Sequence, residues 1–131
     1  MANELVKVEL FGVNNGGDKI RWTIADGASV SQGTLLTATD PRTAISATAK
    51  TIMAGVAAEE HVADKGDTSV PVWQNGVFRF VASGSITVGD SLVPGGAVNK
   101  MTSAAIQTSW TGAKSMDTLS DGETGSARFN L

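Results

Sequence analysis

The sequence predicts an all-β protein, a small β-barrel or sandwich-like domain with short irregular loops and at most one short helix. Three observations lead to this fold class. Apolar and polar residues alternate with period two in several segments, which is the pattern of half-buried strands. An Asn75-Gly76 pair separates two apolar runs, which is typical of a two-residue hairpin. Only residues 57–62 have local helix propensity, and that stretch is too short to be helical alone.

The strand signals are uneven along the chain. In the first of them, Val6, Val8 and Leu10 alternate with Lys7 and Glu9, so the two valines and Leu10 are expected to face the core. In the last segment, Ala127, Phe129 and Leu131 alternate with Arg128 and Asn130. This alternation predicts a final strand that is paired into the sheet. The strands assigned on these grounds are residues 5–11, 19–25, 51–56, 70–74, 77–82 and 124–131.

Residues 70–81 carry the clearest local pattern. A tight turn at Asn-Gly predicts a hairpin that places Trp73 opposite Phe78 and Pro71 opposite Phe80. Both faces of this hairpin are largely apolar, so both are expected to contact protein. Pro71 has no N–H to donate, which predicts that its strand lies at an edge or ends a sheet.

The sequence contains a short internal repeat. The pattern apolar-x-x-Gly-x-x-Leu occurs at residues 30–36 and again at residues 86–92. Each copy reads as an apolar anchor, a glycine turn and a return strand. We interpret the two as similar corners of one small barrel or sandwich, and not as tandem domains.

The length and composition predict one domain over residues 1–131, with a short N-terminal arm at residues 1–5. Ala, Gly, Ser and Thr make up 58 of the 131 residues. The large apolar residues that remain fill only a thin core. Since a thin core in a small domain is often completed by association, we expect the protein to assemble with itself or a partner.

Several functional classes are disfavoured by the residue types. There is no cysteine, a single histidine and a net charge of −3, so neither a zinc site nor a nucleic-acid partner is predicted. No apolar run reaches the roughly 18 residues of a membrane span, and the N-terminus has no secretory signal pattern. The one acidic cluster that includes the histidine lacks calcium-loop spacing and reads as a solvated turn, formed by Glu59, Glu60, His61, Asp64 and Asp67.

Catalytic motifs are missing as well. A serine nucleophile needs a base, and the sequence contains no Gly-x-Ser-x-Gly elbow and no Gly-Lys-Ser/Thr phosphate loop. We therefore expect a protein that is not an enzyme and that carries no cofactor and no metal.

Three segments in the second half resemble a family of small head-decoration, or capsid cement, proteins of tailed bacteriophages. Residues 54–69 resemble the family's Gly-Ile/Val, acidic, Asp-Gly-x-Thr stretch. Residues 72–78 and 86–93 resemble its Gly-Val-Phe and Ile-Thr-Val-Gly-Asp signature, and residues 120–131 resemble its terminal strand. The resemblance spans roughly residues 51–131 in the right order. It departs at residues 113–116, where the family more often has an Ala-Leu-Glu-Thr-like run.

This resemblance implies a structural virion protein on the outer surface of an assembled icosahedral phage head, made in the host cytoplasm. The implied partner is the major capsid protein, whose neighbouring subunits it would bridge. Related proteins often assemble as trimers, which implies a homotrimer, with neither nucleic acid nor membrane as a partner.

Candidate interface residues come from the chain end and the tryptophans. A terminal segment beside a strand can add to a neighbour's sheet edge, and tryptophan is favoured at binding hot spots. Two alternatives stay open. Trp73 and Trp110 suit the aromatic platform of a glycan- or receptor-binding β-module, and Lys100 suits a lipoyl-type carrier domain if it lies at a hairpin tip. The candidates for the capsid or subunit interface are Ala2, Asn3, Glu4, Leu5, Val6, Trp73 and Trp110.

Overall fold

The computed structural model of the chain describes residues 3–10, 19–39, 43–46, 53–95, 98–104 and 113–130. These residues form strands, turns and loops and contain no helix, so the all-β prediction is confirmed. A helix long and apolar enough to cross a membrane is likewise not found in this part of the chain. The strands are β1 Val6–Glu9, β2 Lys19–Thr23, β3 Leu35–Thr39, β4 Thr43–Ser46, β5 Met53–Ala57, β6 Ser69–Trp73, β7 Asn75–Ala82, β8 Leu92–Pro94, β9 Lys100–Ser103, β10 Ala113–Ser115 and β11 Thr124–Asn130.

Strands β2 to β6 form a closed barrel in the order β2-β4-β3-β5-β6. Its neighbours are antiparallel except for β2 and β4, which run parallel and meet at Thr23 and Thr43. Closure removes the free strand edges of this sheet. Small and aliphatic side chains form the buried cluster of the barrel, namely Ile24, Val30, Leu36, Ala44, Ala54, Ala57, Val70 and Val72.

Strands β7 to β11 form a second sheet in the order β10-β11-β7-β9-β8, and β1 adds to it by pairing with β7. Here β7 and β9 are the parallel neighbours. A bridge between Ser91, just before β8, and Lys114 in β10 joins the two ends of this order. The second sheet therefore curls back on itself.

The barrel and the second sheet repeat one connectivity. In the barrel, β2 pairs with β6 and runs parallel to β4. In the second sheet, β7 likewise pairs with β11 and runs parallel to β9. In the barrel, β3 pairs with β4 and β5, and β5 pairs with β6. In the second sheet, β8 pairs with β9, Ser91 just before β8 bridges to β10, and β10 pairs with β11. The structure is thus an internal duplication in which β2–β6 correspond to β7–β11.

The short sequence repeat marks equivalent corners of the two halves. Gly33 and Gly89 both have φ of +90°, a conformation that side chains with a Cβ rarely adopt. The two corners belong to two different sheets, so of the two settings that the sequence left open, one small barrel or one sandwich, the single barrel is wrong. Three matching positions sufficed to reveal the repeat because the turn geometry requires glycine at each corner.

The apolar anchor of each corner forms an antiparallel bridge. Val30 pairs with His61 in the barrel, and Ile86 pairs with Leu119 beside the second sheet. Backbone hydrogen bonds of 2.8–3.0 Å close both bridges in both directions. His61 and Leu119 therefore occupy equivalent places.

One continuous apolar core joins the two halves. Leu35, Val56 and Trp73 of the barrel strands pack in the same cluster as Phe78 and Phe129 of the second sheet. The ring of Phe78 lies 5.8 Å from that of Trp73 and 5.2 Å, edge-on, from that of Phe129, measured between centroids. Because the barrel wall supplies part of this core, the two halves are packed as one hydrophobic unit.

The predicted hairpin at residues 70–81 is wrong. Strand β6 pairs with β2 and β5 in the barrel, whereas β7 pairs with β1, β9 and β11 in the second sheet. The chain crosses from one sheet to the other at Gln74 and makes no two-residue turn. Pro71 also has strand neighbours on both sides, since β6 lies between β2 and β5, so the edge prediction is wrong too. The apolar character of both faces is explained by burial of Val70 to Trp73 between the barrel interior and the shared core.

Strand β1 exists, and Leu10 packs against the core as predicted, but the inward orientation predicted for Val6 and Val8 is wrong. Val6 is 60% exposed and Val8 is 53% exposed, while Leu5 belongs to the core. Val6 pairs with Arg79 and faces outward, and the register shifts between Lys7 and Glu9. This β-bulge changes the phase of the alternation, which period-two reasoning cannot detect.

The segment with helix propensity, residues 57–62, is not helical. Ala57 ends β5, the N–H of Ala58 donates to the carbonyl of Pro71 at 3.0 Å, and His61 forms its bridge with Val30. These long-range main-chain bonds use the groups that a helix would pair locally.

Candidate interface around the N-terminal segment

The N-terminal segment, residues 3–6, is attached to the first glycine corner. The N–H of Leu5 donates to the carbonyl of Gly33 at 2.8 Å, and the side chain of Leu5 is buried. A Cβ on Gly33 would lie 2.5 Å from the carbonyl oxygen of Leu5 and 3.0 Å from the Cβ of Glu4. Glycine at position 33 therefore permits both the turn and the close approach of the segment.

A groove of about 280 Å³ lies between this segment and the barrel. Its lining comes from the N-terminal segment and β1, from the corner before Gly33, and from the end of β6. The lining residues are Glu4, Leu5, Val6, Lys7, Gln32 and Trp73.

The groove combines an apolar wall with polar groups of different kinds. The ammonium group of Lys7 stands 5.2 Å from the centroid of the Trp73 ring, within the range of a cation–π contact. The indole N–H of Trp73 is buried without a hydrogen-bond partner in the described part of the chain. A hydrogen bond from its own main chain holds the pKa of the Glu4 carboxyl below its ordinary range, so Glu4 is anionic at neutral pH.

Four of the predicted interface residues meet at this groove, namely Glu4, Leu5, Val6 and Trp73. Asn3 precedes them with φ of 58°, a left-handed conformation that asparagine tolerates. Ala2 and Trp110 lie outside the described residues.

The members of the groove do not contribute equally to its surface. Leu5 and Trp73 are buried and form its floor, whereas Val6 is exposed at its rim. The side chain of Trp73 is only 4% exposed, so it cannot serve as a flat aromatic platform for a sugar ring.

Sequence reasoning missed Lys7 and Gln32 as groove residues. It assigned Lys7 to the solvent face of β1 because the bulge was not visible. The glycine corner that carries Gln32 was recognised, but its contact with the chain end depends on tertiary packing.

The other candidate sites are placed differently. Both ring nitrogens of His61 face main-chain carbonyls, those of Ala28 at 2.6 Å and Asp67 at 2.8 Å, and neither nitrogen is directed at a ligand. Within the described residues, no three His, Asp or Glu side chains lie close enough to hold a metal ion. Lys100 is the first residue of β9 and pairs with Val81. It therefore stands in a strand and not at a hairpin tip.

The chain matches no known protein-family profile and no curated protein. Among solved structures, the crystal structure of the N base of head fiber gp8.5 in bacteriophage phi29 is similar in fold. The TM-score is 0.53 at 20% sequence identity, and the match covers 86% of this chain and 93% of that chain. A match of this extent includes strands of both the barrel and the second sheet.

Proposed function

We propose that the protein is a structural component of a phage virion that binds the outer surface of the assembled head. The observation that carries this proposal is the likeness in fold to the head fiber base of phage phi29 over 86% of the chain. The family that residues 51–131 resemble is also found on phage heads. The motif resemblance and the likeness in fold thus favour the same kind of particle.

The finer part of the proposal is that the protein cements the shell by bridging neighbouring major capsid subunits. A subunit that touches two shell proteins gains from effective concentration, and a ligand of the assembled surface stabilises that assembly by mass action. A homotrimer fits this role because a closed ring on a three-fold axis presents equal contacts. The role is structural, without catalysis, cofactor, nucleic acid or membrane.

The groove at residues 3–7 is the proposed contact with the shell or with a neighbouring subunit. Its exposed Val6 and the charges of Glu4 and Lys7 suit an extended peptide segment that lies along β1. Main-chain hydrogen bonds to such a segment would provide affinity, and the groove would select its side chains.

Sedimentation with phage heads that lack the protein tests this proposal. Wild-type protein should pellet with the heads and saturate at a fixed number of copies per head. Deletion of residues 2–4 should weaken binding while the circular dichroism spectrum stays that of a β protein. Failure of the wild type to pellet would reject the proposal, and equal binding of the deletion variant would reject the groove as the contact.

A glycan- or receptor-binding module remains the alternative class. It requires an exposed aromatic platform, and the described residues offer neither Trp73, which is buried, nor a second exposed ring beside it. Trp110, the other candidate for the platform, lies outside the described residues, so capsid association is preferred on the likeness in fold to the head fiber base.

A further inference from the structure

The outer face of the second sheet gathers four basic side chains that are scattered in the sequence. Lys114 stands opposite Arg128, and Arg79 stands opposite Ser126, two residues earlier on β11. Lys100 is the parallel partner of Val81, two residues after Arg79 on β7. Directly paired residues share a face of a sheet, so these cations form one surface, which we call the basic wall: Arg79, Lys100, Lys114 and Arg128.

The burial pattern agrees with this placement. Arg79, Lys114 and Arg128 are exposed, and the residues that alternate with them on their strands are buried in the core. Val6 stands opposite Arg79 and is 60% exposed, which adds an apolar element to the wall. Four of the ten basic residues of a chain with net charge −3 thus lie on one face.

The internal duplication allows the basic wall to be compared with the equivalent surface of the barrel. In the barrel, the pair that corresponds to Lys114 and Arg128 is Val56 and Trp73, since both pairs join the fourth and fifth strands. Val56 and Trp73 are buried in the core shared with the second sheet. The same position is therefore an interface in the first half and a charged, exposed surface in the second.

We propose that the basic wall is a docking surface for an acidic patch of a partner protein. Charge complementarity identifies the partner, because cations beside the exposed side chain of Val6 match carboxylates on a folded surface. Carboxylates border the wall at both margins. Glu9 lies opposite Val77, and Asp117 accepts a hydrogen bond from the N–H of Ser126 at 2.9 Å. These margins, together with the overall negative charge, repel a long nucleic-acid backbone.

Charge reversal on the wall tests the inference directly. The variant Arg79→Glu/Lys114→Glu changes the net charge from −3 to −7, because each exchange removes a positive charge and adds a negative one. The control Arg21→Glu/Lys65→Glu makes the same change on other surfaces. Arg21 occupies the place on β2 that corresponds to Arg79 on β7, since Thr23 and Val81 are the equivalent parallel partners.

The probe is a poly-L-glutamate peptide, titrated into ¹⁵N-labelled protein and compared with a thymidine oligonucleotide of equal charge. We expect amide shifts of β7, β10 and β11 with the peptide, and affinity at least about tenfold weaker for the wall variant than for the control. Binding should also weaken with salt. The amide spectra of both variants report whether they stay folded.

Three results would overturn the inference. If the wall variant and the control variant lose the same affinity for poly-L-glutamate, the peptide responds only to the net charge of the protein. Tighter binding of the oligonucleotide than of the peptide would make the wall a nucleic-acid surface. A change of oligomeric state in the wall variant, with no peptide shifts in the wild type, would make it a contact between copies of this chain. None of these results depends on whether the protein binds phage heads.

Discussion

His61 connects two loops of the barrel through both nitrogens of its buried ring. Nδ1 lies 2.6 Å from the carbonyl of Ala28, and Nε2 lies 2.8 Å from that of Asp67. A carbonyl oxygen only accepts hydrogen bonds, so both contacts are made only when both nitrogens carry protons. The carbonyl of Asp67 is the largest cause that raises the pKa of His61, and burial opposes it.

A pH dependence of stability follows from this contact. Because the pKa of His61 is raised in the folded protein, its contribution to the free energy of unfolding is complete below the unfolded-state pKa of about 6.5. The contribution is lost as the pH rises through the folded-state pKa. Urea titrations of the wild type and His61→Leu at about pH 5 and about pH 8 should show that the wild type loses stability with rising pH relative to the variant.

Leucine is the matched replacement because Leu119 holds the equivalent place beside the second sheet. Taking the difference between the two proteins removes the opposite contribution of carboxyls such as Glu4, whose pKa is lowered. Parallel pH profiles for the two proteins would show that the imidazolium contact does not stabilise the fold.

Phe78 joins the two halves of the shared core. It is fully buried and contacts rings from both halves, those of Trp73 and Phe129. Phe78→Ala should lower the free energy of unfolding by about 3–5 kcal/mol, measured by urea denaturation. Val88→Ala is the control, since Val88 is exposed and its loss should change stability little. A similar small change for both variants would place Phe78 outside the core.

At the scale of elements, the two glycine corners provide a matched comparison. Gly33 and Gly89 have the same φ of +90°, but a Cβ meets the main chain of Leu5 only at Gly33, and nothing within 4 Å at Gly89. Both changes to alanine strain the backbone. Gly33→Ala should therefore destabilise more than Gly89→Ala and should speed amide hydrogen exchange at Leu5. Equal effects at the two corners would mean that the N-terminal segment is not held at Gly33.

The strands show where sequence patterns suffice and where they fail. Segments with clear alternation or long apolar runs became β1, β2, β5, β6, β7 and β11, within a few residues of the predicted bounds. Strands β4, β9 and β10 are short and rich in Ala, Ser, Thr and Lys, so they carry little period-two signal. The Asn-Gly rule failed at residues 75–76 because pairing of β6 and β7 with distant strands replaced the local hairpin.

At the scale of the whole molecule, the duplication and the groove were visible in the sequence only as fragments. Three repeated positions marked the corners. Elsewhere the two halves differ in sequence, since the barrel buries Val56 and Trp73 where the second sheet exposes Lys114 and Arg128. Glu4 to Val6 and Trp73 were singled out for unrelated reasons, one as a chain end and the other as a tryptophan. Only the closed barrel brings them to one groove, because β6 ends beside the corner that holds the N-terminal segment.

The central claim is that the protein reinforces an assembled shell. The most direct measurement is the thermal melting of phage heads that lack the protein, recorded by calorimetry while purified protein is added. The account predicts that the melting temperature rises with added protein and stops rising at a fixed copy number per head, since binding favours the assembled surface. A melting temperature that stays unchanged when the heads are saturated with protein would contradict it.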